Sequence, residues 1–185
     1  LLTAAQIASL LDALRSRFGL QQGAEITMEM DPASFDRSKL GEVLQAGVNR
    51  ISLGGQSFDD AVLVQLGRRH RCCDLVEACG WLDDLWRSGD LGSWSLDLIQ
   101  NLPGQSLDDW HEQLKQARAS QAPHLSIYDL SIEPGTVFAR QYKQGQLQLP
   151  EDELALELMA HTSRQLAAAG YRRYEISNHA KPGHA

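Results

Sequence analysis

Four polar side chains stand at comparable places in four apolar stretches of the sequence, and their types suit the binding of a small ligand. They are Glu29, Gln56, Asp97 and Tyr128. Carboxylates and amides accept hydrogen bonds from amines and ribose hydroxyls, as acidic residues do in nucleotide sites. Arg68 follows Gln56 after one short helical segment, and its guanidinium could pair with a ligand carboxylate through two parallel hydrogen bonds.

Each of these residues also has a simpler structural explanation. Asp97 could cap a neighbouring backbone group, Glu29 could be solvated, and Arg68 could be an ordinary charge at a helix end. The functional interpretation is favoured because the residues fall at or near the carboxyl ends of successive predicted strands. Ligands bind at that end of parallel sheets and barrels, so the side chains are expected to meet at one mouth.

The hydrophobic pattern predicts strands that alternate with helices, which is typical of an α/β protein with a parallel sheet or part of a (β/α) barrel. The second strand ends in Gly54 and Gly55, where the missing Cβ atoms let backbone or ligand approach, or simply allow a tight turn. Residues 135–150 are expected to form a covering loop or short hairpin. The predicted strands are residues 25–31, the stretch from 51 to these glycines, and residues 94–99, 124–132 and 171–177.

The composition allows one domain with a real core and excludes several classes of protein. The 185 residues carry 17 Lys and Arg against 24 Asp and Glu, a net charge of −7, which argues against a nucleic-acid-binding surface. No apolar run approaches the roughly 20 residues of a membrane helix, and no secretory leader is visible. The chain begins without methionine and ends after a Pro-Gly turn, so we expect a piece of a longer protein.

Three cysteines, Cys72, Cys73 and Cys79, fall on or near one predicted helix. An odd and low count does not suggest a disulfide framework, so a reducing compartment, the cytoplasm, is expected. Their spacing fits no metal site, and we predict that they are small helix residues and not metal ligands.

An ordered series of motifs resembles one family. The series resembles the radical S-adenosylmethionine proteins of the oxygen-independent coproporphyrinogen III oxidase group, and within that group the heme-chaperone branch. The resemblance covers nearly the whole chain after Gly23. The motifs are EMDP at 29–32, GVNRISLGGQSF at 47–58, LGR at 66–68, DLI at 97–99, LPGQ at 102–105, LSIY at 125–128, IEPGT at 132–136 and YEISN at 174–178.

The resemblance implies a fold and a cofactor site. Residues 1–134 would form the later part of a six-stranded partial (β/α) barrel, and residues 135–185 a connecting loop, helix and strand that begin a C-terminal region. Glu29 would contact the amino-acid or sugar portion of S-adenosylmethionine. Gln56, Arg68 and Asp97 would belong to the same pocket, with Arg68 near the ligand carboxylate.

Two departures from the family pattern bear on activity. The Cys-x-x-x-Cys-x-x-Cys loop that binds the family's [4Fe–4S] cluster is absent, and the three cysteines cannot replace it, so no metal ligand is assigned and this chain alone is expected to be inactive. Gln100-Asn101 stands where Tyr-Gly is common, and Gly55 where Val is usual, which affects the finer shape of the pocket.

Three functions remain open at this point. The first is a heme carrier that delivers heme to membrane respiratory proteins, and His179 and His184 are then low-ranking candidates for heme ligands. The second is an enzyme that converts coproporphyrinogen III to protoporphyrinogen IX. The third is a barrel of another catalytic family. Heme or a porphyrinogen, transient contact with a membrane protein and a homodimer are the expected partners and assembly, and no nucleic acid is expected.

Overall fold

The computed structural model describes residues 2–185 and contains one mixed sheet with helices packed on it. The strands are β1 (Thr27–Met30), β2 (Arg50–Gln56), β3 (Ser93–Gln100), β4 (His124–Asp129), β5 (Arg172–Arg173) and β6 (Asn178–Ala180). The helices are α1 (Ala4–Phe18), α2 (Arg37–Gln45), α3 (Asp60–Gln65), α4 (Cys72–Ser88), α5 (Leu107–Ala119), α6 (Val137–Lys143) and α7 (Asp152–Ala168).

The first four strands are parallel neighbours in chain order, and the sheet order is β1-β2-β3-β4-β6-β5. At least one helix connects each of these strands to the next, as parallel crossovers require. The prediction of an α/β fold built as part of a (β/α) barrel is therefore confirmed. The division of the chain at residue 134 stays a prediction.

The two faces of the sheet differ in chemistry because side chains alternate along a strand. The face under the helices is apolar and includes Leu53, Trp94 and Leu96, which are fully buried. The opposite face is polar. Ser95 of β3 and Ser126 of β4 lie on this face, and both are buried. Helix packing therefore stabilises one side of the sheet, while the other side is available for polar contacts.

Three predictions for the later part of the chain were wrong. Residues 137–143 form α6, which begins where the Thr136 hydroxyl accepts a hydrogen bond from the Ala139 backbone N–H, whereas a covering loop or short hairpin was expected. The fourth strand ends at Asp129 and not at residue 132. In place of a strand over 171–177, the short strands β5 and β6 pair antiparallel, because the few residues between them are too short for a parallel crossover.

His124 is a buried histidine at the start of β4 on the polar face of the sheet. Its imidazole is 3% exposed, and its Nε2 lies 2.8 Å from the Tyr174 hydroxyl. Burial lowers the pKa of His124 from 6.5 to about 4, with a smaller contribution from the Arg50 charge. The folded protein therefore keeps His124 neutral at a pH where the unfolded chain binds a proton.

The free energy of unfolding should fall on mild acidification because of His124. The stabilisation that the neutral His124 contributes is complete above the pKa of 6.5 in the unfolded chain, and it is lost as pH falls toward about 4. Between about pH 7.5 and about pH 5 the free energy of unfolding should fall by about 2 kcal/mol. Urea unfolding at both pH values measures this loss. His124→Gln should show a clearly smaller loss, and an equal loss in the variant would contradict the assignment to His124.

Gly55 is required by packing on the helix side of β2. A Cβ on this residue would lie 2.7 Å from Leu96 Cδ1 and 3.0 Å from Leu75 Cδ1. Leu75 and Leu96 are both fully buried, so neither can move into solvent to make room. The sequence left open whether these glycines allow a close approach or a tight turn, and at Gly55 the missing side chain makes room for the α4–sheet contact.

Gly55→Val should destabilise the protein by about 1–3 kcal/mol because it overpacks this contact. Leu75→Ala alone leaves a cavity and should cost about 2–5 kcal/mol. In the double variant Gly55→Val, Leu75→Ala, the valine occupies the space of the leucine. The loss in free energy of unfolding should therefore be at least about 1 kcal/mol smaller than the sum of the two single losses. Urea unfolding of the four proteins measures the coupling, and additive losses would contradict the packing explanation.

Candidate functional site

A cavity of about 560 Å³ opens at the carboxyl ends of the four parallel strands. Backbone and side chains from β1 to β4 and from the loop before α4 surround it. Its lining is more polar than that of a drug-like pocket and contains several carboxylates. The lining residues are Glu29, Met30, Asp31, Ser52, Gly54, Gln56, Arg68, Asp97, Ile99, Tyr128, Asp129, Leu130 and Ser131.

The structure brings the residues predicted from the sequence to this one cavity. Glu29 is exposed at the end of β1, Gln56 ends β2, and Asp97 lies in β3. Arg68 comes from the loop between α3 and α4, and Tyr128 from β4. The predicted convergence of separate strands on a common mouth is therefore present, while their role in binding a cofactor stays a prediction.

Asp97 is a half-buried carboxylate on β3, between the neighbouring strands β2 and β4. Ser52 Oγ donates to Asp97 Oδ2 at 2.7 Å, and Ser95 Oγ donates to Ser52 Oγ at 2.9 Å. Burial raises the pKa of Asp97 above its usual range, the neighbouring hydroxyls of Ser52 and Ser126 oppose this, and the Glu29 charge adds to the rise.

One oxygen of this carboxylate has no partner. Asp97 Oδ1 is buried and accepts no hydrogen bond from any residue of the described chain. A buried acceptor without a donor costs free energy, of the order of 1–3 kcal/mol. Asp97 lines the cavity, so its carboxylate lies close to any ligand hydroxyl or amine that enters.

Arg68 provides the positive charge of the cavity. Its Nη1 lies 3.5 Å from Asp31 Oδ2, and both side chains are about one-third exposed. A half-exposed pair at this distance is weak, so the guanidinium keeps donors available for another carboxylate. Arg68 can therefore meet the anionic end of a ligand whose other groups donate to Glu29 and Asp97.

Gln56 enters the cavity through an unusual backbone conformation. Its φ is +63°, and the pairing of β2 with β3 is irregular between Gly54 and Gln56. Non-glycine residues adopt this left-handed region rarely, and they do so where the surroundings enforce it. Gly54 lines the cavity beside the Gln56 amide, so close approach on the ligand side concerns Gly54 and not Gly55.

Gln100, which stands where the family commonly has Tyr, is held in this protein by hydrogen bonds at both ends of its amide. Asp129 can only accept, so the Gln100 amide must donate from Nε2 to Asp129 Oδ1 at 3.1 Å, and its Oε1 then accepts from the Thr162 hydroxyl at 2.8 Å. Trp110 Nε1 donates to the same hydroxyl at 2.7 Å. This polar chain ties α5 and α7 to the ends of β3 and β4, next to the cavity.

Sequence reasoning missed Ser52, Ser126 and Asp31, which hold the predicted site residues in place. A signal for Ser52 was available, because it lies four residues before Gln56 and so on the same face of the strand. The contact of Asp31 with Arg68 spans 37 positions of the sequence and has no local signature.

Neither candidate heme histidine is a free surface ligand. His179, expected in a solvated loop, is 3% exposed on β6. His184 Nδ1 lies 2.9 Å from Ser93 Oγ, and its ring packs edge-on against Trp86. Cys72, Cys73 and Cys79 lie on α4, away from the cavity lining. Within residues 2–185, no group of three or more His, Cys, Asp or Glu side chains is arranged to hold a metal ion.

Sequence comparison relates the chain to known proteins over nearly its full length. The heme chaperone HemW of Synechocystis is 39% identical over 178 residues, which is 96% of this chain and 42% of that protein. HemW of Escherichia coli is 39% identical over 100% of this chain and 47% of its own length. The mitochondrial radical S-adenosyl methionine domain-containing protein 1 of Bos taurus is 37% identical over 96% of this chain and 39% of its own. No family model matches.

Structural comparison gives a similar result. The coproporphyrinogen III oxidase HemN of Escherichia coli, described as a radical SAM enzyme, superimposes with a TM-score of 0.83 at 27% identity over 98% of this chain and 41% of its own. Archaeal Elp3 of Methanocaldococcus infernus, at 22% identity and a TM-score of 0.68, shows likeness of fold.

The fold and the sequence relatives together define the class of protein: a part of a radical S-adenosylmethionine barrel. The chain belongs to the coproporphyrinogen III oxidase-like group of that family, among the relatives of HemW. It spans about half the length of the curated relatives it matches. Within residues 2–185, no helix is long and apolar enough to cross a membrane.

Asp97→Asn should raise the free energy of unfolding at neutral pH by about 1 kcal/mol, because it removes a buried charge that serves binding. Since the pKa of the folded carboxyl is raised, the ionised form is the destabilising one, and the gain should shrink as pH falls and the carboxyl of the wild type is protonated. Urea unfolding over a pH series measures the difference. A loss of stability at neutral pH would show that Asp97 is a structural carboxylate.

Proposed function

We propose that this chain supplies the S-adenosylmethionine-binding part of a HemW-like heme chaperone. The observation that carries the proposal is the convergence of Glu29, Gln56, Arg68 and Asp97 on one cavity, together with the unpartnered Asp97 Oδ1. S-adenosylmethionine has ribose hydroxyls, an amino group, a positive sulfonium and a carboxylate. These are the groups that three acceptor side chains and one guanidinium can recognise.

The charges of the cavity support the same ligand. Glu29, Asp31, Asp97 and Asp129 line it with Arg68 as the basic residue of the lining, so the cavity favours a ligand with positive charge and many donors. Arg68 would hold the single carboxylate of the ligand. Asp97 would accept from a hydroxyl at its free oxygen, while the Ser52 hydroxyl fixes the other oxygen. When bound, S-adenosylmethionine supplies the radical precursor that gives the family its name.

The iron–sulfur cluster of the family does not fit the residues of this chain. No cysteine lines the cavity, and the described residues offer no metal-binding group. We therefore derive no step from a cluster. The part of the function assigned to this chain is to bind and orient S-adenosylmethionine and to keep its charged groups paired.

Heme is the proposed cargo because the sequence relatives of Synechocystis and Escherichia coli are named heme chaperones. Delivery of heme to membrane respiratory proteins, a cytoplasmic location and a homodimer belong to this proposal. The heme ligands are not assigned, because His179 is buried and His184 is engaged with Ser93.

The alternative function is oxidative decarboxylation of coproporphyrinogen III. It is favoured by the structural likeness to HemN, the coproporphyrinogen III oxidase of Escherichia coli. Heme titration followed by absorbance, beside an anaerobic assay for porphyrinogen decarboxylation, separates the two functions in the whole protein. Heme binding without turnover supports the chaperone, and turnover without heme affinity would overturn it.

Glu29→Ala and Asp97→Ala should each weaken the binding of S-adenosylmethionine to the whole protein by about 10–100-fold. A hydrogen bond to a charged group contributes about 1.5–3 kcal/mol, which corresponds to this range. Calorimetric titration of S-adenosylmethionine measures the affinity. Glu25→Ala is the matched control, because this exposed carboxylate precedes β1 and is not part of the cavity. Unchanged affinity in both folded variants would reject the site.

A further inference from the structure

His70 is a buried ionisable side chain that the proposed site does not use directly. It lies in the loop between α3 and α4, two residues after Arg68, and is 0% exposed. Its Nε2 lies 3.1 Å from the Gly55 backbone oxygen, and its Nδ1 lies 3.4 Å from Asp31 Oδ1. A carbonyl oxygen can only accept, so Nε2 carries a proton and donates to Gly55.

The Gly55 carbonyl belongs to the peptide that aims Gln56 into the cavity. The oxygen accepts from His70 Nε2 at 3.1 Å and from the Ser57 backbone N–H at 2.8 Å. Gln56, the next residue, has the left-handed φ of +63°. Such a conformation costs about 1–3 kcal/mol and persists where neighbouring contacts enforce it. The donor from His70 is one of the contacts that orient this peptide.

The Nδ1 side of the His70 imidazole faces Asp31, the residue that pairs with Arg68. Asp31 Oδ1 lies 3.4 Å from His70 Nδ1 and accepts from the Ala33 backbone N–H at 3.2 Å. Asp31 Oδ2 lies 3.5 Å from Arg68 Nη1. Nδ1 of the buried ring makes no hydrogen bond within the described chain, so the imidazole acts on its surroundings through Gly55.

We infer that His70 is a positioning residue, which orients Gln56 through the Gly55 carbonyl. It does not line the cavity and so does not touch the ligand. One buried ring in the loop before α4 thus holds a binding side chain at the end of β2. This inference rests on the proposed binding of S-adenosylmethionine by that cavity.

The experiment compares two substitutions of His70 in the whole protein by calorimetric titration of S-adenosylmethionine. His70→Phe keeps the ring volume and removes the hydrogen bond to Gly55, and it should weaken binding about 10-fold, since a small misplacement of binding groups has effects of this size or larger. His70→Gln keeps an N–H donor that can reach Gly55, and its affinity should stay within about 3-fold of the wild type. Arg69→Gln is the control, because Arg69 is the exposed neighbour in the same loop.

The same His70→Phe substitution in a protein that lacks the oriented side chain distinguishes a positioning role from a purely structural one. In a Gln56→Ala protein, His70→Phe should cause no further loss of affinity, although its effect on urea unfolding should remain. If His70→Phe weakens binding equally in the wild type and in this protein, the inference is wrong, because the effect does not pass through Gln56. His70→Gln covers the case in which the phenylalanine variant does not fold, and a 10-fold loss in the folded glutamine variant would also overturn the inference.

The outcomes distinguish this inference from the proposed function. Normal binding by folded His70→Phe, with weak binding by Glu29→Ala, rejects the role of His70 and leaves the site intact. Normal binding by both Glu29→Ala and Asp97→Ala rejects the site itself and with it the inference.

Discussion

The central constraint on this molecule is a carboxylate held inside the polar face of a parallel sheet. Asp97 has lost much of its contact with water, and a lone buried carboxylate is unfavourable. The parallel register supplies its partners, because Asp97 stands opposite Ser126 on β4 while Ser52 donates to it from β2. The Ser52 hydroxyl satisfies one oxygen, and the place of Asp97 at the cavity depends on the register of three strands.

The apolar face of the same strands provides the stability that this arrangement requires. Leu53, Trp94 and Leu96 are fully buried beneath the helices, so every second residue of a strand contributes to the core. Gly55 shows how closely the two faces are connected: its missing side chain makes room for Leu75 of α4, and its carbonyl oxygen accepts from His70 next to the cavity. Packing on one side of β2 thus affects the position of Gln56 on the other.

The family relationship and the geometry support different parts of the functional conclusion. The relatives establish a radical S-adenosylmethionine barrel of the HemW and HemN group, and the chain matches less than half of each of these proteins. The cavity explains what this portion can contribute, which is an acidic mouth with one guanidinium. Heme, by contrast, is suggested through the names of the relatives, since His179 and His184 are both engaged in the packing of the chain.

The sequence alone determined the order of the four parallel strands and the helices between them, and it predicted the position of the candidate site. Alternation of apolar residues identifies the buried face of a strand, and polar residues at strand ends such as Glu29, Gln56 and Asp97 converge in any parallel sheet, because those ends share one edge. The sequence could not reveal α6 or the antiparallel pair of β5 and β6, where the elements are short and the apolar pattern is weak. It also could not reveal which side chains hold the site, since Ser52 and Asp97 are 45 residues apart and His70 and Asp31 meet only after the sheet and α4 have packed. Contacts between distant residues depend on strand register and helix packing, and these are properties of the tertiary structure.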